Sequence, residues 1–225
     1  MIEKYITIIP ARGGSKRFPR KNVYPFLGKP LVAHSILESV QCDGIGGTFV
    51  STDDEEIKRV SIEYGAEVID RPVNLSGDHT TTAEVLHHAV QNIINQGVEF
   101  DYLVLLQPTN PLRPKDLLDN AISIIDNGDY DSLMTVSPSY RKLGKIKDTI
   151  FIPWNYHFGQ RSQDMEPLFY ENGLLYITSK QLILNGRIMG DKMFPMVVDH
   201  IYGTVDIDTR EDLDYAEFIA KRYTE

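Results

Sequence analysis

The sequence predicts an α/β fold with a mostly parallel central sheet. Short apolar runs of strand length alternate with longer segments of helical periodicity, and this alternation is typical of βαβ units. The chain of 225 residues has the size of one large domain. We therefore predict a single domain over residues 1–225.

The predicted strands are short runs of mainly apolar residues, as expected for strands buried in a parallel sheet. They are YITII (5–9), GTFVS (47–51), YLVLLQ (102–107) and SLMTV (132–136). The segments between and after them carry apolar residues at helical spacing. These predicted helices are 30–40, 54–65, 80–97, 114–128 and 209–223.

Capping signals support the predicted helix boundaries. Asp54 is a candidate N-cap of the second helix, and Thr80 or Thr81 of the third. Glycine, which often terminates helices, stands at the expected end of three of them. These glycines are Gly65, Gly97 and Gly128.

Residues 137–172 interrupt the alternation of strands and helices. The segment is rich in proline, aromatic and charged residues, and it contains the strand-like run TIFI (149–152). In an α/β domain such a segment is typically an insertion, a lid or a subunit contact. We predict an excursion for dimerisation or for covering a site, within the single domain.

Composition argues against several classes of function. The chain carries 32 acidic and 23 basic side chains, a formal charge of −9, whereas a nucleic-acid binder needs a broad basic face. Cys42 is the only cysteine, so no intramolecular disulfide is expected. No apolar stretch approaches the roughly 20 residues that cross a bilayer, and the first residues lack the layout of a signal peptide. We expect a soluble, cytoplasmic protein with no nucleic-acid or membrane partner.

Positive charge is concentrated in IIPARGGSKRFPRKN (8–22), directly after the first predicted strand. Its cations are Arg12, Lys16, Arg17, Arg20 and Lys21. Gly13 and Gly14 allow a tight backbone turn close to a ligand, and N–H groups at such a loop face an anion. Together with the cations, this predicts a triphosphate site. The loop matches neither the P-loop nor the G-x-G-x-x-G pattern, and the alternative interpretation is a solvated basic loop.

Six motifs, in order along nearly the whole chain, resemble those of the acylneuraminate cytidylyltransferases, the CMP-sialic acid or CMP-nonulosonic acid synthetases. They are IIPARGGSKRFPRKN (8–22), VSTDDEEI (50–57), EVIDRPVNLSGDHTTT (67–82), LLQPTNPLR (105–113), YENGLLYI (170–177) and DIDTREDL (206–213). The resemblance implies a three-layer, Rossmann-like nucleotidyltransferase fold and a homodimer joined through part of 137–172. Lys21 and Asn22 at the end of the loop favour a nonulosonic acid over Kdo as the sugar.

The resemblance also implies roles for individual residues. Nucleotide binding is expected for Arg12, Gly13, Ser15, Lys21, Asn22, Arg71 and Thr82. Sugar binding is expected for Gln107, at the carboxyl edge of the sheet where open α/β folds bind ligands, and for Arg161, which suits a carboxylate. The expected catalytic residues are Arg12, Lys21 and Asp208. Asn110 and Arg113 have either a role at the site or a purely structural one.

Asp206 and Asp208 stand two residues apart in a β-rich run. In a strand, this spacing puts both side chains on one face, roughly 6–7 Å apart, where their oxygens suit Mg²⁺. Alternatively, Asp208 caps the following helix and Asp206 is simply exposed. The resemblance implies that the pair is the Mg²⁺ site. A rival acidic run, STDDEE (51–56), is more typical of a helix start.

The expected reaction joins CTP and a nonulosonic acid to give the CMP-nonulosonate and diphosphate. The alternatives are a cytidylyltransferase for another acidic sugar such as Kdo, a non-catalytic nucleotide-binding protein of the same fold, and a glycosyltransferase with a D-x-D metal site. The sugar itself is left open, because Tyr170, Glu171 and the run SQDMEP (162–167) depart from the common sialate pattern.

Overall fold

A seven-stranded sheet forms the centre of the molecule in a computed structural model that describes residues 2–223. The described strands are β1 (Ile2–Pro10), β2 (Pro25–Phe26), β3 (Lys29–Pro30), β4 (Gly47–Thr52), β5 (Glu67–Asp70), β6 (Glu99–Leu105), β7 (Ser132–Ser139), β8 (Gly144–Lys147), β9 (Ile150–Pro153), β10 (Leu168–Ser179) and β11 (Met193–Val197). The α-helices are α1 (Leu31–Val40), α2 (Glu55–Glu63), α3 (Thr82–Asn95), α4 (Leu117–Asn127), α5 (Lys180–Leu184) and α6 (Arg210–Arg222).

The strands of the large sheet follow the order β11-β7-β10-β6-β1-β4-β5. All neighbours pair in parallel except that β10 runs antiparallel to both β6 and β7. Consecutive parallel strands are connected through helices, as their right-handed crossovers require. The predicted α/β class with a mostly parallel sheet is confirmed.

Helices cover both faces of the sheet and produce three layers. One core cluster joins the sheet to α1, α2 and α4, and a second joins it to α3 and α5. A third cluster packs α6 against the opening segment, where Phe18 and Phe26 are fully buried beside Leu213 and Ile219. The C-terminal helix therefore fixes the position of the loop that follows β1. None of the helices in residues 2–223 has both the length and the apolar character to cross a membrane.

The predicted N-caps are present in the structure. Asp54 accepts hydrogen bonds from the backbone N–H groups of Glu56 and Ile57 at 2.9 and 3.0 Å, and Thr81 begins α3 in a capping box with Glu84. The acidic run at 51–56 therefore serves a helix start. At the C-terminal end of α4, Gly128 has an extended backbone conformation and not the left-handed one that is common at helix ends.

The segment that carries Asp206 and Asp208 is not a strand, contrary to the expected β-rich run. It is an extended connection between a 3-10 helix (Ile201–Thr204) and α6. The backbone N–H of Ile207 donates to the carbonyl oxygen of Thr109 at 2.8 Å, a single bond rather than a ladder. Alternation survives nonetheless, because Val205 and Ile207 are buried while the two aspartates are more exposed.

The predicted excursion leaves the central sheet between the end of β7 and the start of β10. Its strands β8 and β9 form a separate antiparallel hairpin. The hairpin and the turn after it expose large apolar side chains to solvent. These are Ile146, Ile150, Phe151, Ile152, Trp154 and Phe158.

A register shift in β10 distorts the sheet near its carboxyl edge. Glu171 pairs with Val136 and Tyr176 with Met134, so the two strands fall out of step between these pairs. Asn172 stabilises the shift: its Oδ1 accepts from Thr135 Oγ1 at 2.6 Å and its Nδ2 donates to Ser137 Oγ at 3.0 Å. The irregularity is thus a built feature, held by a buried amide.

Replacing Asn172 by Ala should lower the free energy of unfolding by about 2–4 kcal/mol, because buried polar partners lose their hydrogen bonds. Chemical denaturation measures this change. Asn95→Ala, at the exposed end of α3, is the matched control and should stay within about 0.5 kcal/mol of the parent. Equal stability of the two variants would contradict the role given to Asn172.

Candidate active site

Two neighbouring cavities open at the carboxyl edge of the parallel strands. The basic cavity, of about 430 Å³, lies between the loop after β1, the start of α3 and Asp208. The β10 cavity, of about 550 Å³, lies between β10, residues 139–143 and residues 203–206. Gln107, the second residue after β6, lines both cavities, which therefore meet at this side chain. An open α/β sheet binds its ligands at this edge.

The loop after β1 is held in place by its own backbone and by acidic neighbours. Gly13 donates its N–H to Asp53 Oδ1 at 2.9 Å, and Asn22 Nδ2 donates to the carbonyl oxygen of Arg12 at 2.9 Å. A Cβ at Gly13 would come within 2.8 Å of the Asp54 side chain, so the position favours glycine.

The loop cations that face the basic cavity are paired with carboxylates. Arg12 Nη1 contacts Asp78 Oδ1 at 3.0 Å, and Lys16 pairs with the other oxygen of Asp78. The Lys16 ammonium, together with Arg12, holds the pKa of Asp78 below its usual range. Because these contacts are exposed, a ligand with several negative charges can replace them at modest cost.

Lys21 is the most deeply placed cation of the loop, with 8% of its surface exposed. Its Nζ donates to the carbonyl oxygen of Ile207 and to Asp208 Oδ1, both at 2.8 Å. Arg17 pairs with the other oxygen of Asp208 from the solvent side. The cation therefore links the opening loop directly to the carboxylate segment before α6.

Arg71 forms the wall of the basic cavity opposite the loop. Its Nε and Nη2 donate to Ser51 Oγ and Ser51 O at 3.1 and 2.6 Å, which fixes the guanidinium at the end of β4. Burial lowers the pKa of Arg71 to about 10, so the group remains a cation at neutral pH. Ser15 and Thr82 line the same cavity.

The two aspartates stand at the boundary between the cavities. Asp206 lines the β10 cavity, and Asp208 lines the basic cavity. Burial in the surrounding protein raises the pKa of Asp206, and the nearby negative charge of Asp208 adds to this rise. Asp208 does not cap α6, because Thr209 does so with Asp212 in a capping box.

The carboxylate pair fits a hard divalent cation. A cation would relieve the repulsion and the burial cost that raise the pKa of Asp206. Within residues 2–223, no cluster of three or more histidine, cysteine, aspartate or glutamate side chains could hold a metal. Mg²⁺ is commonly bound by one or two carboxylates, and water and substrate oxygens complete its coordination.

Three residues that the sequence analysis considered for the site either lie outside the two cavities or form hydrogen bonds that stabilise the fold. Arg161 is on the excursion, pairs with Asp164 at 2.7 Å and lines neither of the two cavities. Arg113 is buried and donates to Leu174 O at 2.8 Å, and Asn110 Nδ2 donates to Val205 O at 2.8 Å. Arg113 therefore cross-links the fold, while Asn110 also lines the β10 cavity.

The structure adds residues that the motifs did not assign to the site. Asp78 joins the basic cavity, whereas Arg141, Glu171 and Tyr176 join the β10 cavity. The departure of Glu171 from the sialate pattern was the available signal in the sequence.

The fold and the two adjoining cavities define an α/β protein with a cation-lined site at the carboxyl edge of its parallel strands. Residues 6–223 match the family model described as "Cytidylyltransferase", and the chain belongs to that family. It is similar to the pseudaminic acid cytidylyltransferase of Campylobacter jejuni, at 32% identity over 97% of each chain. It is also similar to the CMP-N,N'-diacetyllegionaminic acid synthase of Legionella pneumophila, at 34% identity over 93% of each chain.

Solved structures confirm the predicted fold. A CMP:2-keto-3-deoxy-manno-octonic acid synthetase complexed with CTP superposes with a TM-score of 0.69 at 18% identity, over 97% of this chain and 99% of that one. A 4-diphosphocytidyl-2C-methyl-D-erythritol synthase gives the same TM-score at 12% identity, over 96% and 99%. At these identities the likeness concerns the fold alone.

Replacing Lys21 by Ala should weaken CTP binding by about 10- to 100-fold, because a buried, charge-assisted hydrogen-bond donor is lost from the basic cavity. Isothermal titration measures the affinity, and circular dichroism verifies that the variant is folded. Lys29→Ala, which removes an exposed lysine outside the cavity, should bind CTP as the parent does. Unchanged affinity in folded Lys21→Ala would contradict this prediction.

Proposed function

We propose that the protein is a Mg²⁺-dependent cytidylyltransferase of the cytoplasm that activates a nonulosonic acid, converting it with CTP into the CMP-nonulosonate and diphosphate. Family membership supports the CTP-dependent transfer. The names of relatives that match nearly the full chain, a pseudaminic acid cytidylyltransferase and a CMP-N,N'-diacetyllegionaminic acid synthase, support a nonulosonic acid as the acceptor.

One observation carries the proposal: a cation-lined cavity and a second polar cavity meet at Gln107 and the aspartate pair. The triphosphate fits the basic cavity, and the sugar fits the β10 cavity. The reacting atoms, the anomeric oxygen and the α-phosphorus, then lie at the boundary between the two. This arrangement converts a bimolecular reaction into an oriented one.

In the reaction, the anomeric oxygen of the sugar attacks the α-phosphorus in line. A new phosphorus–oxygen bond forms, the bond to the bridging oxygen of the β-phosphate breaks, and diphosphate leaves with that electron pair. Catalysis then consists mainly of positioning and of offsetting negative charge. The proton of the anomeric hydroxyl passes to water, and we assign no side chain as a base, because an anomeric hydroxyl is more acidic than an ordinary alcohol.

The loop residues hold the nucleotide in this proposal. Arg12, Ser15 and Lys21 bind the phosphates, with the N–H groups around Gly13 contributing, and Asn22 contacts the nucleotide. Arg71 and Thr82 bind it from the opposite wall of the basic cavity. Gln107 contacts the sugar where the two cavities meet.

Asp206 and Asp208 would hold Mg²⁺ in this proposal. When bound, the ion offsets the charge that develops on the phosphates and on the leaving diphosphate. The contacts of Asp208 with Lys21 and Arg17 hold this carboxylate at the basic cavity.

The proposal also includes a homodimer. The hairpin of β8 and β9 exposes a band of apolar side chains that includes Ile146, 77% exposed. A second copy would bury this band, as apolar interface cores do. Arg161 lies on the same excursion, so in a dimer it would serve the sugar carboxylate in the β10 cavity of the other protomer.

Diphosphate release tests the proposed reaction. With CTP and Mg²⁺, the protein should release diphosphate in the presence of at least one nine-carbon nonulosonic acid, which is identified from a panel that also contains Kdo. Turnover with Kdo alone would favour the alternative acceptor. CTP binding without turnover on any member would favour a non-catalytic nucleotide-binding protein.

Asp208→Ala should reduce Mg²⁺-dependent turnover by at least about 100-fold, because one of two proposed carboxylate ligands is removed. The rate is measured over a range of Mg²⁺ concentrations. Asp214→Ala, at an exposed position of α6, is the control and should keep the parent's rate and Mg²⁺ dependence. If Asp208→Ala retained both, the metal assignment would be wrong.

Sedimentation of the protein should give the mass of a dimer. Ile146→Glu places a charge in the exposed apolar band and should give a monomer, because burying an unpaired charge is costly. Ile62→Glu, at a residue of α2 that is 65% exposed, is the matched control and should remain dimeric. A monomeric parent protein would overturn the proposed assembly.

A further inference from the structure

The turn that follows β6 contributes to both cavities of the site. Thr109 lines the basic cavity, Asn110 lines the β10 cavity and Gln107 lines both. Asn110 is 2% exposed, so the polar atoms of its side chain need partners within the protein. The proposed reaction assigns no role to this buried amide.

The Asn110 amide connects two segments that are distant from it in sequence. Its Nδ2 donates to the carbonyl oxygen of Val205 at 2.8 Å and to that of Asn172 at 3.2 Å. Its Oδ1 accepts from Thr109 Oγ1 at 3.2 Å. Because a side-chain amide has two N–H hydrogens, both are used here. Asn110 therefore holds the irregular part of β10 and the segment before α6 together.

Gly173 lets the backbone of β10 come close to this amide. A Cβ at Gly173 would lie 2.9 Å from Asn110 Oδ1, and the φ of Gly173 is +76°, which favours glycine. The carbonyl group of β10 that Asn110 binds belongs to the residue directly before this glycine. The contact between Asn110 and β10 therefore depends on the glycine.

Asp206 lies between two hydrogen bonds that the same turn forms. The peptide carbonyl before Asp206 belongs to Val205 and accepts from Asn110. The peptide N–H after it belongs to Ile207 and donates to the carbonyl oxygen of Thr109 at 2.8 Å. Both peptide groups that flank Asp206 are therefore held by residues 109–110. Because Asp206 lines the β10 cavity, these bonds limit the positions that its carboxylate can take there.

The basic cavity relies on other contacts. Arg71 is held by Ser51 at the end of β4. Lys21 donates to the segment beyond Asp206, on the opposite side from the bond that Asn110 forms. Loss of the Asn110 amide should therefore displace Asp206 without removing a contact of the cations that line the basic cavity.

We propose that Asn110 is a positioning residue: by binding Val205 O and Asn172 O together, it sets the place of Asp206 at the boundary between the two cavities. The inference rests on the proposed function, in which Asp206 serves the reacting atoms. Asparagine suits this role because aspartate and leucine, which have a similar shape, have no side-chain hydrogen to donate. A displacement of about 1 Å among groups that orient a reaction can cost about 100-fold in rate.

Turnover and nucleotide binding of two variants test the proposal. Asn110→Ala loses both donors, so kcat at saturating substrates should fall at least about 10-fold. Asn110→Ser keeps one shorter donor, so its kcat should lie between those of the parent and the alanine variant, and it decides the test if the alanine variant does not fold. In both variants the KM for CTP should stay within about 2-fold of the parent's. Isothermal titration measures the CTP affinity, and its stoichiometry gives the folded fraction.

Ser61→Ala is the control for the loss of a buried hydrogen bond. Ser61 Oγ donates to Ile57 O at 2.7 Å within α2, and Ser61 lines neither cavity. Its loss lowers stability without moving a group of the site, so kcat should stay within about 2-fold of the parent's.

Hydrogen exchange of the Ile207 amide gives a readout that does not depend on turnover. In Asn110→Ala this amide should exchange at least about 10-fold faster relative to the amides of β1, because its segment opens more readily once the neighbouring bond is lost. In Ser61→Ala the relative rate should equal that of the parent. A change confined to this segment distinguishes positioning from a general loss of stability.

The outcomes separate the two levels of the proposal. A parent protein that is inactive with every nonulosonic acid overturns the proposed function, and this inference with it. An active parent whose kcat is matched by both Asn110 variants overturns the inference alone, and so does an Ile207 amide that keeps the parent's relative exchange rate. Equal losses of kcat in Asn110→Ala and Ser61→Ala would make Asn110 a residue that only stabilises the fold.

Discussion

The contact of Lys21 with the segment before α6 is the constraint on which the site depends. Its buried Nζ donates to Ile207 O and Asp208 Oδ1, and so joins the start of the chain to its end. The site requires this link, because the cation-rich loop follows β1 while the carboxylate pair follows the last strand. The packing of α6 against Phe18 and Phe26 stabilises the same contact between the two segments. A charge-assisted contact and an apolar cluster therefore align the two halves of the site together.

Electrostatic balance explains why an acidic protein carries a dense basic loop. Asp78 and Asp208 each form ion pairs with two of the loop cations and so offset part of their charge. Such pairs are weak where solvent reaches them, so the cations remain available to phosphate oxygens. The deeper pair of Lys21 and Asp208 is different, because both partners belong to the proposed site. The loop is thus tied to both Asp78 and Asp208.

Local sequence patterns predicted much of the fold. They also predicted the loop residues of the basic cavity, which is one of the two cavities of the site. Strand and helix periods predicted four of the seven strands of the sheet, without β5, β10 and β11. Glycine with clustered cations predicted the loop that lines the basic cavity. β11 was missed because Pro195 interrupts its apolar run, which only an edge strand tolerates. The hydrogen bond from Tyr176 to Glu171 was beyond local patterns, since it depends on Asn172 contacting Thr135 on another strand. Contacts between distant segments, such as Arg12 with Asp78, leave no periodic signal.

The two cavities draw on different stretches of the chain. The basic cavity is built almost wholly from residues 10–109, whereas most of the β10 cavity comes from residues after 138. In the proposed reaction, nucleotide recognition and acceptor recognition therefore rest on separate parts of the chain. The irregularity in β10 adds to this separation, because a side chain at its rim can change without repacking the sheet beneath it. Evolution, or an engineer, can therefore exchange the acceptor while the machinery for CTP is inherited intact.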